Sequence, residues 1–159
     1  MDKQLIVEAI LTALEAKLAV ARSSTQRAID AATDEETVPE HKYDTLALEA
    51  SYLAHGQAMR VLESENELNL MRQLKLRDFS QQAIAVGAYV ELEDELGKQQ
   101  CFFIAPCAGG LEVNYLQASI YLLTTQSPLG KLLKGKREED EVTLTIGEKS
   151  KIYDIVTVR

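Results

Sequence analysis

The amino-terminal part of the chain has an apolar pattern with the period of a coiled coil. Apolar and small residues recur at alternating steps of four and three, which is typical of the seam between two packed helices. The eight positions are Val7, Leu11, Leu14, Leu18, Ala21, Thr25, Ala28 and Ala32. No proline or glycine precedes Pro39. The pattern therefore predicts one helix over residues 2–33, about 48 Å long at about 1.5 Å per residue.

A second helix is predicted to run back along the first, from near Glu40 to about Leu76. Gly56 lies inside it and is expected to weaken it by about 1 kcal/mol relative to alanine. One set of residues is expected in its seam, namely Leu46, Ala50 and Leu53, and a second set is expected to thicken that seam, namely Leu48, Tyr52 and Met59. Residues 1–78 are thus predicted to form an antiparallel helical hairpin.

The connection between these two helices is acidic. Its carboxylates are Asp34, Glu35, Glu36, Glu40 and Asp44, with Pro39 among them. On one interpretation they only begin the second helix, since proline suits the first helical position and the helix dipole favours acids there. On the other, they hold a divalent cation, because Mg²⁺ takes one or two protein carboxylates and fills its other positions with water and phosphate oxygens.

After residue 79 the pattern changes from helical to strand-like. Alternating β-branched and aromatic residues predict strands in IAVGAYVELED, QQCFFIAPC, LEVNYLQASIYLLTTQSP, DEVTLTI and KIYDIVTV. A turn is predicted at residues 108–110, and a terminal hairpin across residues 147–149. SPLGKLLKGK predicts one short helix, with Ser127 as its N-cap, Pro128 at its first position and Gly135 as its stop. Residues 79–159 are therefore predicted to be a small α+β domain.

Charge narrows the range of partners. The 159 residues carry a net charge of −8, and residues 1–78 hold 14 acids and 9 bases while residues 79–159 hold 11 and 8. Neither part has the basic footprint of a duplex-binding protein, so independent sequence-specific DNA binding is not expected. Glu8 and Glu15 interrupt the apolar residues of the amino terminus, and no stretch is long enough to span a bilayer. A cytoplasmic location without a membrane partner is expected.

The cysteines and histidines show no metal-binding spacing. Cys101 and Cys107 lie in CFFIAPC, which is not a C-x-x-C motif, and no second pair is present. They are expected to be partly buried thiols. His41 and His55 are fourteen residues apart, although His41 stands beside the acidic connection.

One run of residues resembles a known family. Its members are Ser127, Pro128, Leu129, Gly130, Leu133, Gly135, Lys136, Asp140 and Val142. This order of residues, together with the flanking strands over residues 84–159, resembles the carboxy-terminal domain of the bacterial Gre (GreA/GreB) transcript-cleavage factors. The resemblance implies a fold similar to FKBP-type prolyl isomerases after an amino-terminal coiled coil. It implies no isomerase activity, and the domain has few aromatic residues and no tryptophan to line such a pocket.

The resemblance also implies a partner and a mode of action. In Gre factors the carboxy-terminal domain sits at the rim of the RNA polymerase secondary channel. Their coiled coil reaches the active centre, where tip acids help to hold the second Mg²⁺ for cleavage of backtracked RNA. The implied partner is RNA polymerase, with nascent RNA contacted only inside that complex. No enzymatic activity of its own and no tightly bound cofactor are implied, apart from Mg²⁺ shared with the polymerase.

The candidate site residues follow from this resemblance. The polymerase-binding candidates are Ser127, Pro128, Lys131, Lys134, Lys136 and Arg137, and the metal candidates are Glu36 and Glu40. The family tip has the pattern D-x-x-E-N-x-E-Y. When Tyr43 is aligned with its tyrosine, Glu36 takes the first acidic position, Pro39 takes the second, and Glu40 is one residue away.

This departure from the family pattern favours a polymerase-binding factor over a cleavage factor, and leaves the effect on elongation or initiation open. An alternative interpretation is a protein-interaction or chaperone-like module that acts on a different protein.

Overall fold

The computed structural model describes residues 1–33 and 46–159, with the side chains of Leu46 and Ala47 excepted. This part of the chain forms a pair of long helices followed by a six-stranded mixed sheet with one short helix, which confirms the predicted α+β fold class. The elements are α1 (Lys3–Thr33), α2 (Leu46–Arg72), β1 (Tyr89–Asp94), β2 (Gln99–Ile104), β3 (Glu112–Tyr115), β4 (Ala118–Leu123), α3 (Pro128–Leu133), β5 (Glu141–Ile146) and β6 (Lys149–Val158).

The chain packs as two compact units. One contains Met1–Leu11 and Leu70–Arg159, and the other contains Thr12–Asn69. The first unit therefore holds the sheet together with the beginning of α1 and the end of α2. The second holds the remaining described parts of these two helices. The predicted division between residues 78 and 79 stays a prediction.

The seam predicted for α1 is confirmed. All eight positions are buried or half-buried, and the exposed fraction of the side chain is 1% at Leu14 and 5% at both Leu18 and Ala28. Ile6 and Ile10 are completely buried as well. They lie outside the four-three spacing, in the part of α1 that belongs to the first unit.

The seam predicted for α2 is confirmed at Ala50, which is half-buried, and is wrong at Leu53. Leu53 is 56% exposed, and the predicted flanking residues Leu48, Tyr52 and Met59 are exposed as well. A different set is buried or half-buried at steps of four and three: Ala50, Ala54, Gln57, Val61, Ser64, Leu68 and Met71. In the first half of α2, alanine and glutamine therefore occupy the seam in place of leucine and tyrosine, while Leu68 and Met71 fill its last turns.

The face of α2 that is buried matches the size of the side chains in the seam of α1. From residue 21 onwards the seam of α1 consists of alanine and threonine, and helices pack more closely where the side chains between them are small. Two largely exposed ion pairs connect the helices, between Lys17 and Glu67 at 3.0 Å and between Arg22 and Glu65 at 3.2 Å. Their order along the chain shows that the helices are antiparallel.

The carboxyl end of α2 lies earlier than predicted. The helix ends at Arg72 rather than near Leu76. The backbone N–H of Leu74 bonds to the carbonyl oxygen of Met71 at 3.2 Å, which closes a turn instead of continuing the helix. Its predicted start near Glu40 lies outside the described residues.

The sheet has the strand order β3-β4-β2-β1-β6-β5. Neighbouring strands are antiparallel except β2 and β4, which are parallel. β1 begins later than predicted, because Gly87 has a φ of 97° and turns the chain just before it. The terminal hairpin is confirmed, with Ile146 paired to Lys149 across the two-residue turn.

Both faces of the sheet contribute buried residues. One face belongs to a single core cluster: Phe79, Ile84, Ala88, Val90, Leu92, Phe102, Ile104, Leu133, Val142, Tyr153, Ile155 and Val158. On the other face Tyr89, Phe103, Ile120 and Leu122 are buried. The hydroxyl of Tyr89 donates a hydrogen bond to Glu91 at 2.8 Å. Burial, followed by interactions with Cys101 and Glu91, raises the pKa of Tyr89 and keeps the phenol protonated.

The first residues of α1 are fastened to the rest of their unit. The ammonium group of Lys3 donates to the carbonyl oxygens of Arg77 and Gly87 and lies 4.9 Å from the centre of the Phe79 ring. Burial lowers the pKa of this amine, and the nearby charge of Asp78 partly offsets that effect. The backbone N–H of Asp2 adds a 3.2 Å bond to the hydroxyl of Tyr115. The start of the chain is thereby anchored by polar contacts.

Two further expectations bear on the described residues. Within residues 1–33 and 46–159, no helix is long and apolar enough to cross a membrane. Cys101 and Cys107 are thiols that are each partly buried, as predicted.

Leu14→Ala is expected to lower the free energy of unfolding by about 2–5 kcal/mol, since the side chain is almost completely buried. Leu53→Ala is the matched control and is expected to change it by no more than about 0.5 kcal/mol, because that leucine is largely exposed. Urea unfolding followed by circular dichroism measures both. Equal losses in the two variants would show that the seam of α2 is assigned to the wrong residues.

Candidate functional site

The segment after β4 is shaped by Ser127. Its hydroxyl donates to the carbonyl oxygen of Thr124 at 2.8 Å and accepts from the backbone N–H of Gly130 at 3.1 Å. Ser127 is therefore the N-cap of α3, and Pro128 occupies the first turn, where its missing N–H carries no cost. Both assignments were predicted from the sequence and are confirmed.

Gly130 permits a close approach between α3 and the chain leaving β4. A Cβ atom at this position would lie 1.9 Å from the carbonyl oxygen of Thr124, far inside van der Waals contact. The neighbouring atom is backbone and cannot turn away. Only glycine therefore allows α3 to rest against residue 124 in this geometry.

One side of α3 is anchored in the core of the sheet. Leu133 is completely buried in the core cluster, and Leu129 and Leu132 pack against it. The opposite side is left in solvent, and it carries Lys131 and Lys134. The short helix is thus amphipathic, with apolar residues that fix the orientation of the charged ones.

The chain after α3 is held by the backbone of a distant residue. The N–H of Gly135 donates to the carbonyl oxygen of Ile84 at 2.9 Å, and the N–H of Ile84 donates to that of Lys136 at 2.8 Å. Gly135 has a φ of 85° and ends the helix as predicted. This reciprocal pair fixes the backbone from which the exposed side chain of Lys136 extends.

Asp140 holds the next turn. Its carboxylate accepts a 2.7 Å bond from the backbone N–H of Arg137, and its own N–H donates to the Arg137 carbonyl oxygen at 3.1 Å. The guanidinium of Arg137 donates to the carbonyl oxygen of Gln81 at 3.0 Å. The run resembling the Gre family therefore contains an aspartate because it closes this turn.

Four cations gather on this rigid frame, and we call Lys131, Lys134, Lys136 and Arg137 the cationic surface. All four are exposed. The acids that follow along the chain are partly engaged elsewhere, since Glu138 pairs with Arg159 at 3.0 Å and Asp140 closes the turn. In a protein of net charge −8, this surface is a local concentration of positive charge.

The acidic candidates of the sequence cannot be placed in the same way. Asp34, Glu35, Glu36, Glu40 and Asp44 all lie outside the described residues. Within the part of the chain that the structure describes, no three histidine, cysteine, aspartate or glutamate side chains gather as a metal site. The assignment of Mg²⁺ to Glu36 and Glu40 stays a prediction.

The supporting residues of the cationic surface were missed in the sequence. Thr124, Ile84 and Gln81 contribute through backbone carbonyl or N–H groups, so their side chains give no signal of the role. The signal in the sequence that could have indicated a close backbone approach is Gly130 in the Ser-Pro-Leu-Gly run.

Comparison with known proteins identifies the class. The family model described as "Transcription elongation factor, GreA/GreB, C-term" matches residues 80–159, which is half of the chain. The chain therefore belongs to the GreA/GreB family of transcription elongation factors. Membership makes it a transcription factor of a kind that acts with RNA polymerase, and factors of this family are not enzymes in their own right.

Solved structures that are similar to this chain are named as GreA/GreB factors or their homologues. The transcription factor Gfh1 is 22% identical over 94% of this chain and 93% of its own, with a TM-score of 0.40. Gfh1 of Thermus thermophilus, a GreA factor homologue, is 21% identical over 94% of both chains, with a TM-score of 0.39. A GreA/GreB elongation factor from Nitrosomonas europaea is 14% identical over 70% of this chain and 91% of its own, with a TM-score of 0.37. No curated protein matches the chain significantly.

Gly130→Ala is expected to lower the free energy of unfolding by about 1–3 kcal/mol, since the new methyl group must displace the backbone at Thr124. Gly56→Ala is the control: it makes the same substitution, but it is expected to raise the free energy of unfolding rather than lower it. It lies in α2 with nothing within 4 Å of the added atom, so alanine is expected to add about 0.5–1 kcal/mol. Thermal unfolding followed by circular dichroism compares them. A Gly130→Ala protein as stable as the wild type would mean that α3 does not need the close approach.

Proposed function

We propose that the protein binds RNA polymerase at its secondary channel through the cationic surface and alters the kinetics of elongation or initiation. The observation that supports this proposal most directly is the construction of the surface itself. In the family run from Ser127 to Asp140, the N-cap of α3 and the turn closed by Asp140 fix the backbone that carries four exposed cations. That backbone is also fixed by the burial of Leu133, by the contact of Gly130 with Thr124, and by the hydrogen bonds of Ile84 to residues 135 and 136.

The chemistry of the surface suits an acidic protein partner. Lysines at positions 131, 134 and 136 are exposed on a fixed backbone, so binding has to order their side chains but not the chain that carries them. Charges of this kind steer encounter and fix orientation more than they add affinity. Binding that depends on them weakens as salt rises, because exposed charges are screened beyond about 8 Å at physiological ionic strength.

The helical pair has a separate role in the proposal. The acidic connection between α1 and α2 is proposed to enter the polymerase and to lie near its active centre. Glu36 and Glu40 are the residues proposed to approach the polymerase Mg²⁺, which the polymerase holds and this chain does not bind tightly. Because Pro39 occupies the second acidic position of the family pattern, we propose modulation of the polymerase rather than cleavage of its RNA.

The chain is proposed to perform no reaction of its own. Nascent RNA would meet it only inside the polymerase complex, and its acidic charge gives no basis for independent binding to DNA. The chain would act by occupying the channel and by placing its carboxylates near the phosphates of the bound RNA. Carboxylates and phosphates repel one another unless a cation lies between them.

Lys134→Glu combined with Lys136→Glu is expected to weaken binding to core RNA polymerase at least about tenfold and to flatten its dependence on salt, since two attractive charges become repulsive. Lys149→Glu combined with Lys151→Glu makes the same change in charge on exposed lysines of β6. This control is expected to bind like the wild type. Fluorescence anisotropy at several salt concentrations measures both. Equal affinities for wild type, variant and control would remove the cationic surface from the interface.

Glu36→Gln and Glu40→Gln are expected to keep polymerase binding and to change pausing or initiation, because they remove charge without removing side-chain volume. Wild-type protein is expected to leave cleavage of backtracked RNA unaccelerated over a series of Mg²⁺ concentrations. Transcript cleavage, pausing and initiation assays are run on the same complexes. If the wild type accelerates RNA cleavage and either variant abolishes that acceleration, the protein assists catalysis rather than only modulating the polymerase. Variants identical to the wild type in every assay would make these acids helix-capping residues only.

A further inference from the structure

α2 carries a second row of large residues with coiled-coil spacing. The row consists of Leu48, Tyr52, His55, Met59 and Leu62, again at steps of four and three. Its apolar members are between 46% and 69% exposed, and His55 is exposed too. We call these five residues the outer row. It extends about 21 Å along the helix.

The outer row faces away from α1. Each of its members precedes a seam residue by two positions, as Leu48 precedes Ala50 and Tyr52 precedes Ala54. Two residues correspond to about 200° around an α-helix, so the seam and the outer row occupy opposite sides of α2. One helix thus has two coiled-coil seams, of which only the inner one is filled within the described residues.

The sequence defines the carboxyl end of the outer row. The next two positions at the same spacing are Asn66 and Asn69, which are polar and exposed. The apolar row therefore stops after Leu62. Its four-three period is typical of a surface that meets another helix, because that spacing places successive side chains along one line of contact.

The charges at the flanking heptad positions of the outer row are negative, whereas Arg60 lies one position further round the helix. At the flanking heptad positions the charged residues are Glu49, Glu63 and Glu65, and no lysine or arginine stands there. Glu65 is already paired with Arg22 at 3.2 Å, while Glu49 and Glu63 are exposed. Charges at these flanking positions select the partner in coiled coils.

We propose that the outer row is a docking surface for a helix of another protein that carries its own apolar heptad row flanked by lysine or arginine. This surface is separate from the cationic surface, and its chemistry is the reverse, since it is apolar with acidic edges. The partner helix would cover four large apolar side chains and place its cations beside Glu49 and Glu63. The proposal does not rest on the cationic surface. Because the outer row begins directly after the acidic connection, a helix bound to it would compete with the entry of that connection into the polymerase.

A second copy of this chain fits the outer row poorly. Pairing α2 with another α2 would bring acidic edges together, because neither edge offers a basic residue. Like charges at such positions destabilise the pair. An anionic membrane surface is disfavoured by the same edges. A basic amphipathic helix satisfies both the spacing and the charge.

Two designed peptides test the proposal on the full chain. Both have three heptads with leucine at positions a and d, and they differ only in carrying lysine or glutamate at positions e and g. Each is used at a concentration at which it is monomeric, and binding is measured by isothermal titration calorimetry. The lysine peptide is expected to bind, and the glutamate peptide is expected to bind at least about tenfold more weakly.

Three variants locate the binding. Tyr52→Gln combined with Met59→Gln keeps the net charge. It is expected to weaken binding of the lysine peptide at least about tenfold, because two large apolar contacts are lost. Leu96→Gln is the control, since Leu96 is 93% exposed in the turn after β1 and should have no effect. Lys134→Glu combined with Lys136→Glu is expected to leave peptide binding intact, which separates this proposal from the polymerase interface.

The outcomes are decisive in both directions. Binding of the lysine peptide that is lost in the Tyr52/Met59 variant and kept in the other two supports the outer row as the docking surface. Absence of binding, equal binding of both peptides, or binding unchanged in the Tyr52/Met59 variant overturns it. Sedimentation of the wild type is measured in parallel. A dimer that dissociates in the Tyr52/Met59 variant would show that a second copy, rather than a basic helix, covers the row.

Discussion

The close approach of Gly130 to the carbonyl oxygen of Thr124 is the constraint on which the cationic surface depends. It lets α3 begin directly against the chain that leaves β4, with Ser127 bonded to both sides of the contact. From that start, one turn of helix is enough to bring Leu133 into the core. A larger residue at position 130 would move α3 outward, and the lysines would lose the frame that fixes their spacing.

A second constraint acts in the helical pair, where the size of side chains decides which face of α2 turns inward. The seam of α1 from residue 21 onwards consists of alanine and threonine, and the buried or half-buried residues in the first half of α2 are alanine, glutamine, valine and serine. Burying Leu48 and Tyr52 instead would hold the helices further apart and leave the small seam of α1 without contacts. The same choice that packs α2 against α1 places its largest apolar residues on the opposite side. An exposed apolar row is thus a direct consequence of a seam made of small residues.

Much of this architecture could be predicted from the sequence, for reasons that are local. The four-three spacing identified the seam of α1, and Ser127, Pro128 and Gly135 set the limits of α3, because helix seams and caps depend on residues close together in the chain. The rotation of α2 could not be predicted in the same way. The predicted seam of Leu46, Ala50 and Leu53 shares Ala50 with the observed one and then departs from it by one residue, since Leu53 is exposed where Ala54 is half-buried. Choosing between them requires the partner helix, and that information lies some forty residues away.

The supports of the cationic surface were beyond prediction for a related reason. Ile84 and Gln81 act through backbone atoms, and β2 pairs in parallel with β4, a contact that no local pattern indicates. The acidic connection between α1 and α2 remains known by sequence alone.

The two surfaces of this chain differ in the force that would hold a partner. Binding at the cationic surface would rest on exposed charges, which lose most of their attraction beyond about 10 Å in 0.1 M salt. Binding at the outer row would rest chiefly on covering apolar area, at about 25 cal/mol per Å², and salt changes that contribution little. Only the flanking contacts with Glu49 and Glu63 would be screened. The response of each complex to salt therefore follows from the side chains at its centre.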